Sequence, residues 1–290
     1  MTPEELVERA GQALSARVDS FRLLEGGYSN LSVLIVTSQG TLVARHPTLT
    51  PTLHATLHGQ AAAMRLARDV GLPVPEVLHV DAEMLVYEYV EGRALSAQDA
   101  ASGLALQAGE MFALLHSIGG SGLGPVQADG SSPGWPNDAY FSGVDTEADR
   151  LLSAHSPTWG VYMADIEDAC ALLTQPPPMR SVLVHGDAGV GNIIVTGGHI
   201  AGIIDFDNAW YGDPAIDLAW WWWRSPLTAP AFEAGCVSQG DLTAPWPLWA
   251  CRVRLLLGLA DSFIAHAPER SRHVWSLLPR AVSQLREASR

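Results

Sequence analysis

The sequence predicts an α+β protein of two lobes, a small β-rich one followed by a larger, mainly helical one. Three observations lead there. Strand-like runs separated by turn residues crowd the first part of the chain. Helical periodicity dominates beyond residue 100. Between them in character, residues 181–219 form an apolar, Gly- and Asp-rich stretch that returns to strand pattern inside the helical half. The division is placed between residues 1–90 and 91–290.

Taken in order, Thr2-Pro3-Glu4-Glu5 reads as a helix start and not a signal peptide, with Thr2 as cap, Pro3 in the first turn and Glu5 reaching back. Phe21 to Leu24 reads as a strand running into Glu25-Gly26-Gly27-Tyr28-Ser29-Asn30. Leu31 to Thr37 is β-rich, Ser38-Gln39-Gly40 turns, and Thr41 to Arg45 returns, which is a meander. The paired glycines, Gly26 and Gly27, let backbone N–H groups approach a phosphate closely, and Ser29 adds a donor. Residues 52–70 read as a helix closed by Gly71, with Pro73 beyond. His54 and His58 lie four apart on it, but with no third ligand evident they read as solvated or capping residues.

Val77 to Val80 and Met84 to Val90 read as two further strands, and Leu104 to Ile118 as a helix in which His116 is a packed core residue. The Gly-, Pro- and Ser-rich run from Gly119 to Asp138 reads as a long surface loop. Helical patterns follow at Thr146–Leu152 and Tyr162–Leu173, and in the tail at Pro247–His266 and His273–Ala288.

Composition narrows the function. The chain has 290 residues, 48% hydrophobic and 17% charged, ordinary values for a soluble globular protein. A net charge of −14 argues against nucleic acid as a partner, because phosphates need a basic face. No apolar run approaches membrane-spanning length, so no membrane partner is expected. Cys170, Cys236 and Cys251 are odd in number and lack ligand spacing, which predicts reduced thiols and a cytoplasmic setting. All 17 basic residues are arginine. With no lysine, a Schiff base and a P-loop lysine are both excluded.

The chemistry concentrates in residues 181–219. An apolar run, Val182 to Val184, delivers His185-Gly186-Asp187 into a glycine-rich loop, and Asn192 stands five residues past Asp187. Ile193 to Val195, a Thr196-Gly197-Gly198 turn and a second apolar strand ending in Asp205 form a hairpin. Its open end gathers Asp187, Asn192 and Asp205. Two carboxylates and a carboxamide are all-oxygen donors, which suit Mg²⁺ better than zinc.

This stretch resembles the aminoglycoside phosphotransferase family of kinase-like enzymes. The matching residues are His185-Gly186-Asp187 with Asn192, Ile204-Asp205-Phe206, and Gly212-Asp213-Pro214-Ala215 with Asp217-Leu218-Ala219. Four elements in order and at the right spacing are far more specific than a lone His-Gly-Asp. The resemblance implies a protein-kinase-like fold, ATP and Mg²⁺ as cofactors, and phosphoryl transfer to a small-molecule hydroxyl. It implies that Asp187 handles the hydroxyl proton, that Asn192 and Asp205 hold the metal, and that Asp217 ties a helix to the catalytic loop. It makes Gly26, Gly27 and Ser29 part of the nucleotide-covering loop, and gives Glu88 and Val90 the adenine through their backbone groups. Arg45 falls where the kinase pattern has a lysine, and Gln60 where it has that lysine's glutamate partner. Asp207, in place of the usual glycine after Asp205-Phe206, is expected to contact substrate or to support the residues that do.

Two other readings of the same residues remain. One is a nucleotide-binding module without catalysis, suggested by Gln60. The other is a metal-dependent hydrolase built on Asp187, Asp205 and Asp207. For the acceptor, the run Trp220 to Trp223 should be helical, so successive rings point almost all the way round and one or two must leave the core. One account buries them against the C-terminal helices or a partner subunit. An aromatic wall beside Asp207 and other carboxylates predicts a cationic, aminoglycoside-like acceptor, with antibiotic resistance as the corresponding role.

Overall fold

The computed structural model describes residues 1–24, 30–48, 55–153, 160–241 and 243–290. Helix α1 (Pro3–Leu14) starts at the capping box read from the sequence: Glu5 N donates to Thr2 Oγ1 at 3.2 Å, and Thr2 N donates to the Glu5 carboxylate at 2.7 Å. Strands β1 (Val18–Leu23), β2 (Asn30–Thr37) and β3 (Gly40–Pro47) form the expected meander. Helix α2 (Leu57–Asp69) follows, capped by the Thr56 hydroxyl. It starts later than the periodicity suggests, and residues 49–54, His54 among them, lie outside the described residues.

Strands β4 (Val77–Val80) and β5 (Leu85–Glu88) complete an antiparallel sheet ordered β1-β2-β3-β5-β4. Alternation along the strands divides their apolar residues between two faces. Val33, Ile35, Leu42, Ala44 and Val86 pack under Leu6, Val7 and Ala10 of α1. Leu34, Val43, Leu85 and Tyr87 face α2, whose Ala61, Ala62, Ala63 and Ala67 permit close approach.

A two-residue strand β6 (Arg93–Ala94) leads to α3 (Leu104–Leu115), which ends a turn before the expected Ile118. Short β7 (Gly124–Pro125) lies in the long loop, and α4 (Val144–Ser153) and α5 (Met163–Leu173) follow. Then come β8 (Val182–Val184), the hairpin β9 (Ile193–Thr196) and β10 (His199–Ile203), and β11 (Trp210–Gly212). Two small sheets result, β10-β9-β6 and β7-β11-β8. Helices α6 (Ala215–Arg224), α7 (Ala229–Ser238), α8 (Pro245–His266) and α9 (Pro268–Ala288) close the chain. The two tail helices begin earlier than expected because Pro245 and Pro268 occupy first-turn positions, where proline has no hydrogen bond to lose.

The result is an antiparallel sheet part followed by a helical part, as the sequence predicts. Helix α7 is the element the sequence does not announce, and its contact with α3 explains why. A Cβ on Gly109 would stand 2.0 Å from the Phe232 carbonyl oxygen, and one on Gly235 would stand 2.0 Å from that of Leu106. The helices cross backbone to backbone, so small residues replace the apolar stripe that ordinarily marks a packed helix.

Candidate active site

The catalytic-loop candidate leaves β8 at Val184 and is fixed at once by Asp217, buried on α6. His185 N and Gly186 N each donate to its carboxylate at 2.8 Å. Gly186 is required here: its φ is 76°, and a Cβ would lie 2.0 Å from the Asn208 carbonyl oxygen. The His185 ring bonds through Nε2 to the Ile204 carbonyl at 2.9 Å, tying this loop to the residue before Asp205.

Asp217 is itself held from behind. His116 Nε2 lies 3.0 Å from it, His116 Nδ1 lies 2.6 Å from Asp241, and Arg180 donates to Asp241 at 2.6 Å. Burial alone would discharge His116, but the two carboxylates raise its pKa from 6.5 to about 9. The sequence reading of His116 as a core residue is right, but its core is ionic. A raised histidine pKa gives a stability contribution that is complete below pH 6.5 and lost as pH rises through 9. The unfolding free energy from urea titrations should therefore fall between pH 6 and 9.5, by about 3 kcal/mol at most, and His116→Asn should flatten that slope. An equal slope in the variant would place the titration elsewhere.

The three residues at the hairpin's open end do come together. Asn192 Nδ2 donates to the Asp187 carbonyl at 2.9 Å and to its carboxylate at 3.3 Å. Asp205 follows β10 in a left-handed conformation, φ 71° and ψ 60°, which aspartate tolerates better than most residues. Arg45 reaches across from β3 and donates to Asp205 at 3.0 Å and also to Asp207, which accepts a further bond from Asn30.

Burial pushes the Asp187 carboxyl above the ordinary carboxylate range, while Arg224 and His185 pull it back. At Asp205 burial is outweighed by Arg45, and the carboxyl is held below its ordinary value. Burial and the neighbouring Asp205 push Asp207 up to about 6 against the pull of Arg45.

The remaining candidates fall as follows. Gly26, Gly27 and Ser29 lie outside the described residues. Glu88 ends β5, where its N–H donates to the Glu76 carbonyl at 3.0 Å, and Val90 packs against Gly202 of the hairpin. The possible Arg45–Gln60 hydrogen bond is not made. Gln60 Nε2 bonds the Ala55 carbonyl at 3.2 Å, while Gln60 Oε1 and Arg45 Nε are both buried without partners among the described residues. Asp207 stands with Arg45 and Asn30, not beside the tryptophan run.

Of that run, Trp221 is fully buried and stacked on Phe232 at 4.0 Å. Trp222 packs against Trp249, and Trp223 against Phe263 and His273. Only Trp220 lines a cavity near the catalytic loop.

Sequence reading missed Arg224. It stacks over Trp220, 5.2 Å from the ring centroid, and its guanidinium lies 2.5 Å from Asp187 Oδ1. Its sequence signal is present but weak: one turn of helix beyond Trp220, at the end of an apolar run, where an arginine otherwise reads as a stop.

The donor chemistry fits Mg²⁺. Among the described residues no cluster of three or more His, Cys, Asp or Glu forms a metal cage. Magnesium is ordinarily held by one or two protein oxygens, with nucleotide phosphates and water completing the shell. Asp205 would supply one such oxygen. Asn192 uses its Nδ2 on Asp187, so its remaining atom for a cation is its oxygen.

An antiparallel sheet facing a helical part, with an Asp–Asn loop and a hairpin-end aspartate between them, defines a kinase-like phosphotransferase. The chain belongs to the phosphotransferase enzyme family, whose model matches residues 20–251. Solved structures agree on the fold. Aminoglycoside phosphotransferase APH(4)-Ia aligns with a TM-score of 0.73 at 17% identity, covering 98% of this chain and 99% of that one. A thermostable mutant of the same enzyme, in complex with ADP and hygromycin B, aligns at 0.71 and 16% identity, covering 97% and 98%. Macrolide 2'-phosphotransferase MphH from Brachybacterium faecium aligns at 0.62 and 20% identity, covering 97% and 98%. No curated protein sequence matches the chain significantly.

Proposed function

We propose that the protein transfers the γ-phosphoryl group of ATP to a hydroxyl of a small molecule, with Mg²⁺ as the metal. The observation that carries this reading is the convergence of Asp187, Asn192 and Asp205 at one hairpin end, opposite the Arg45 guanidinium. Phosphoryl transfer needs positioning and charge stabilisation more than covalent help, and these groups supply both. Residues 1–90 serve as the nucleotide-binding part and residues 91–290 as the catalytic and acceptor-binding part. The Glu88 carbonyl and Val90 N–H are the backbone groups assigned to adenine, since the Glu88 N–H is already engaged.

Asp187 orients the acceptor hydroxyl and takes its proton. Its buried setting, with a raised carboxyl pKa, brings it closer to the basicity a proton acceptor needs near neutral pH. Asn192 and Asp205 would hold Mg²⁺, which offsets charge on the phosphates. Arg45 adds positive charge on the phosphate side, in the forked geometry of a guanidinium. The three free cysteines suit a cytoplasmic enzyme, and no helix among the described residues is long and apolar enough to cross a membrane.

The direct test is acceptor-dependent ADP release, screened over aminoglycosides, macrolides, amino alcohols and sugars. No ADP with any acceptor, despite ATP binding, would favour a catalytically silent nucleotide-binding module, the reading that Gln60 keeps open. Two variants address the nucleotide side. Asp205→Ala should weaken Mg-ATP binding by calorimetry, and unchanged affinity would remove Asp205 from the metal. Arg45→Ala should raise KM for ATP. Gln60→Glu should lower it by giving the unpartnered Arg45 Nε a charged neighbour. Unaltered ATP kinetics in Arg45→Ala would leave Arg45 only its bonds to Asp205 and Asp207.

A further inference from the structure

Against the catalytic loop lies a cavity of about 160 Å³ with four aromatic side chains in its walls. Trp135, Tyr140, Trp210 and Trp220 line it together with Gly186 of the loop, Asn208 and Arg254. The rings are braced against one another. Trp135 meets Trp210 edge to face at 5.8 Å, and Tyr140 meets Trp210 at the same distance with an interplanar angle of 54°. Trp220 joins this cavity to the chemistry, because Arg224 stacks on its ring and ion-pairs with Asp187.

Three properties of the cavity bear on what fits. Its size is that of one six-membered ring, since apolar cavities of roughly 150 Å³ bind benzene. Its lining holds no carboxylate, and the one charged side chain in it, Arg254, is already paired with Glu147 at 2.7 and 3.0 Å. Asn208 and Ser142 put polar groups into the lining, which an oxygen-bearing guest would meet. An ammonium group entering here would lose its hydration with no anion in the lining to replace it, and would meet Arg254 besides. The acidity behind the −14 net charge lies elsewhere on the chain.

Resting on the phosphotransferase reading above, we infer that the acceptor presents to this cavity a single uncharged six-membered ring bearing oxygen atoms, a pyranose or cyclitol ring without amino groups. The ring's C–H faces lie on the indoles, its oxygens meet Asn208 and Ser142, and a hydroxyl at its edge is delivered toward Asp187. This reverses the cationic acceptor expected from the sequence. That expectation needed carboxylates beside the tryptophans, and Asp207 is paired with Arg45 instead.

The test uses matched acceptors: glucose against 2-amino-2-deoxyglucose, and inositol against an aminocyclitol, with choline as a quaternary ammonium control. ADP release gives turnover, and tryptophan fluorescence in the presence of a non-hydrolysable ATP analogue gives affinity. The neutral member of each pair should bind at least tenfold tighter, with an affinity indifferent to salt, because screening acts on charges. Trp220→Ala and Trp135→Ala should each weaken neutral-ring binding roughly tenfold, the scale of one lost aromatic contact. Trp220→Phe, which keeps a flat face, should recover most of it.

Preference for the aminated member or choline, salt-sensitive affinity, no binding by any ring, or Trp variants that bind normally would each overturn the inference. Phosphorylation of cationic acceptors alone would overturn it and leave the phosphotransferase reading standing. Absence of nucleotide binding and of ADP release would instead remove that reading.

Discussion

Asp187→Asn is expected to lower kcat by roughly 10²–10⁴-fold, the usual scale of a general acid–base contribution. Mg-ATP affinity should stay close to that of the parent enzyme. The substitution is nearly isosteric, and Asn192 would still find an amide oxygen at this position to accept its Nδ2. What disappears is the capacity to take a proton and the negative charge that Arg224 faces at 2.5 Å. Rapid-quench turnover with saturating ATP separates the two quantities. Near-parent turnover would remove Asp187 from its role, and a parallel loss of ATP affinity would place it with the metal.

The second large effect concerns a residue that touches no substrate. Asp217 accepts two backbone N–H groups of the catalytic loop and one ring nitrogen of His116, entirely inside the protein. Asp217→Ala leaves those donors buried and the His116 charge with Asp241 alone. Breaking a buried ionic contact in this way costs about 3–5 kcal/mol. For a chain of this size the melting temperature should drop by roughly 10 °C. Turnover measured well below that temperature should also fall, because the same bonds set the positions of Gly186 and Asp187. Full activity in a destabilised variant would mean that the loop is held by other contacts. An unchanged melting temperature would show that the network carries no net stability.

The fold was legible wherever local chemistry and periodicity agreed. Thr2, Pro3 and Glu5 announce α1 because a capping box is complete within four residues. The β9–β10 hairpin is legible because Gly197 and Gly198 stand between two apolar runs. Asp187, Asn192 and Asp205 could be assembled from sequence for the same reason: the hairpin converts short separations along the chain into proximity. Arg45 belongs to a different class. Its partners Asp205 and Asp207 lie 160 and 162 residues away, and no local pattern distinguishes an arginine that crosses a cleft from one at a solvated strand end.

The same limit hid the aromatic cavity. Trp135, Tyr140, Trp210 and Trp220 come from a loop, a short turn, a strand and a helix, far apart in sequence, and meet only in the folded chain. The four consecutive tryptophans drew attention to the right helix, yet three of them serve the core. Helix α7 was silent because its contact with α3 runs through glycine backbones, which leave no apolar stripe to read.

An arginine at position 45, where the kinase pattern has a lysine, has a practical consequence for detecting this protein. Reagents that deliver an acyl group from an ATP scaffold depend on an amine nucleophile close to the phosphates, and a guanidinium that stays protonated offers no free electron pair. The chain contains no lysine at all, so such reagents have no side-chain amine to modify anywhere in it. Surveys of cellular kinases by acyl-phosphate labelling should pass over this enzyme even when it is abundant and active. Lysine acetylation, which silences a phosphate-binding amine by removing its charge, likewise has no target here.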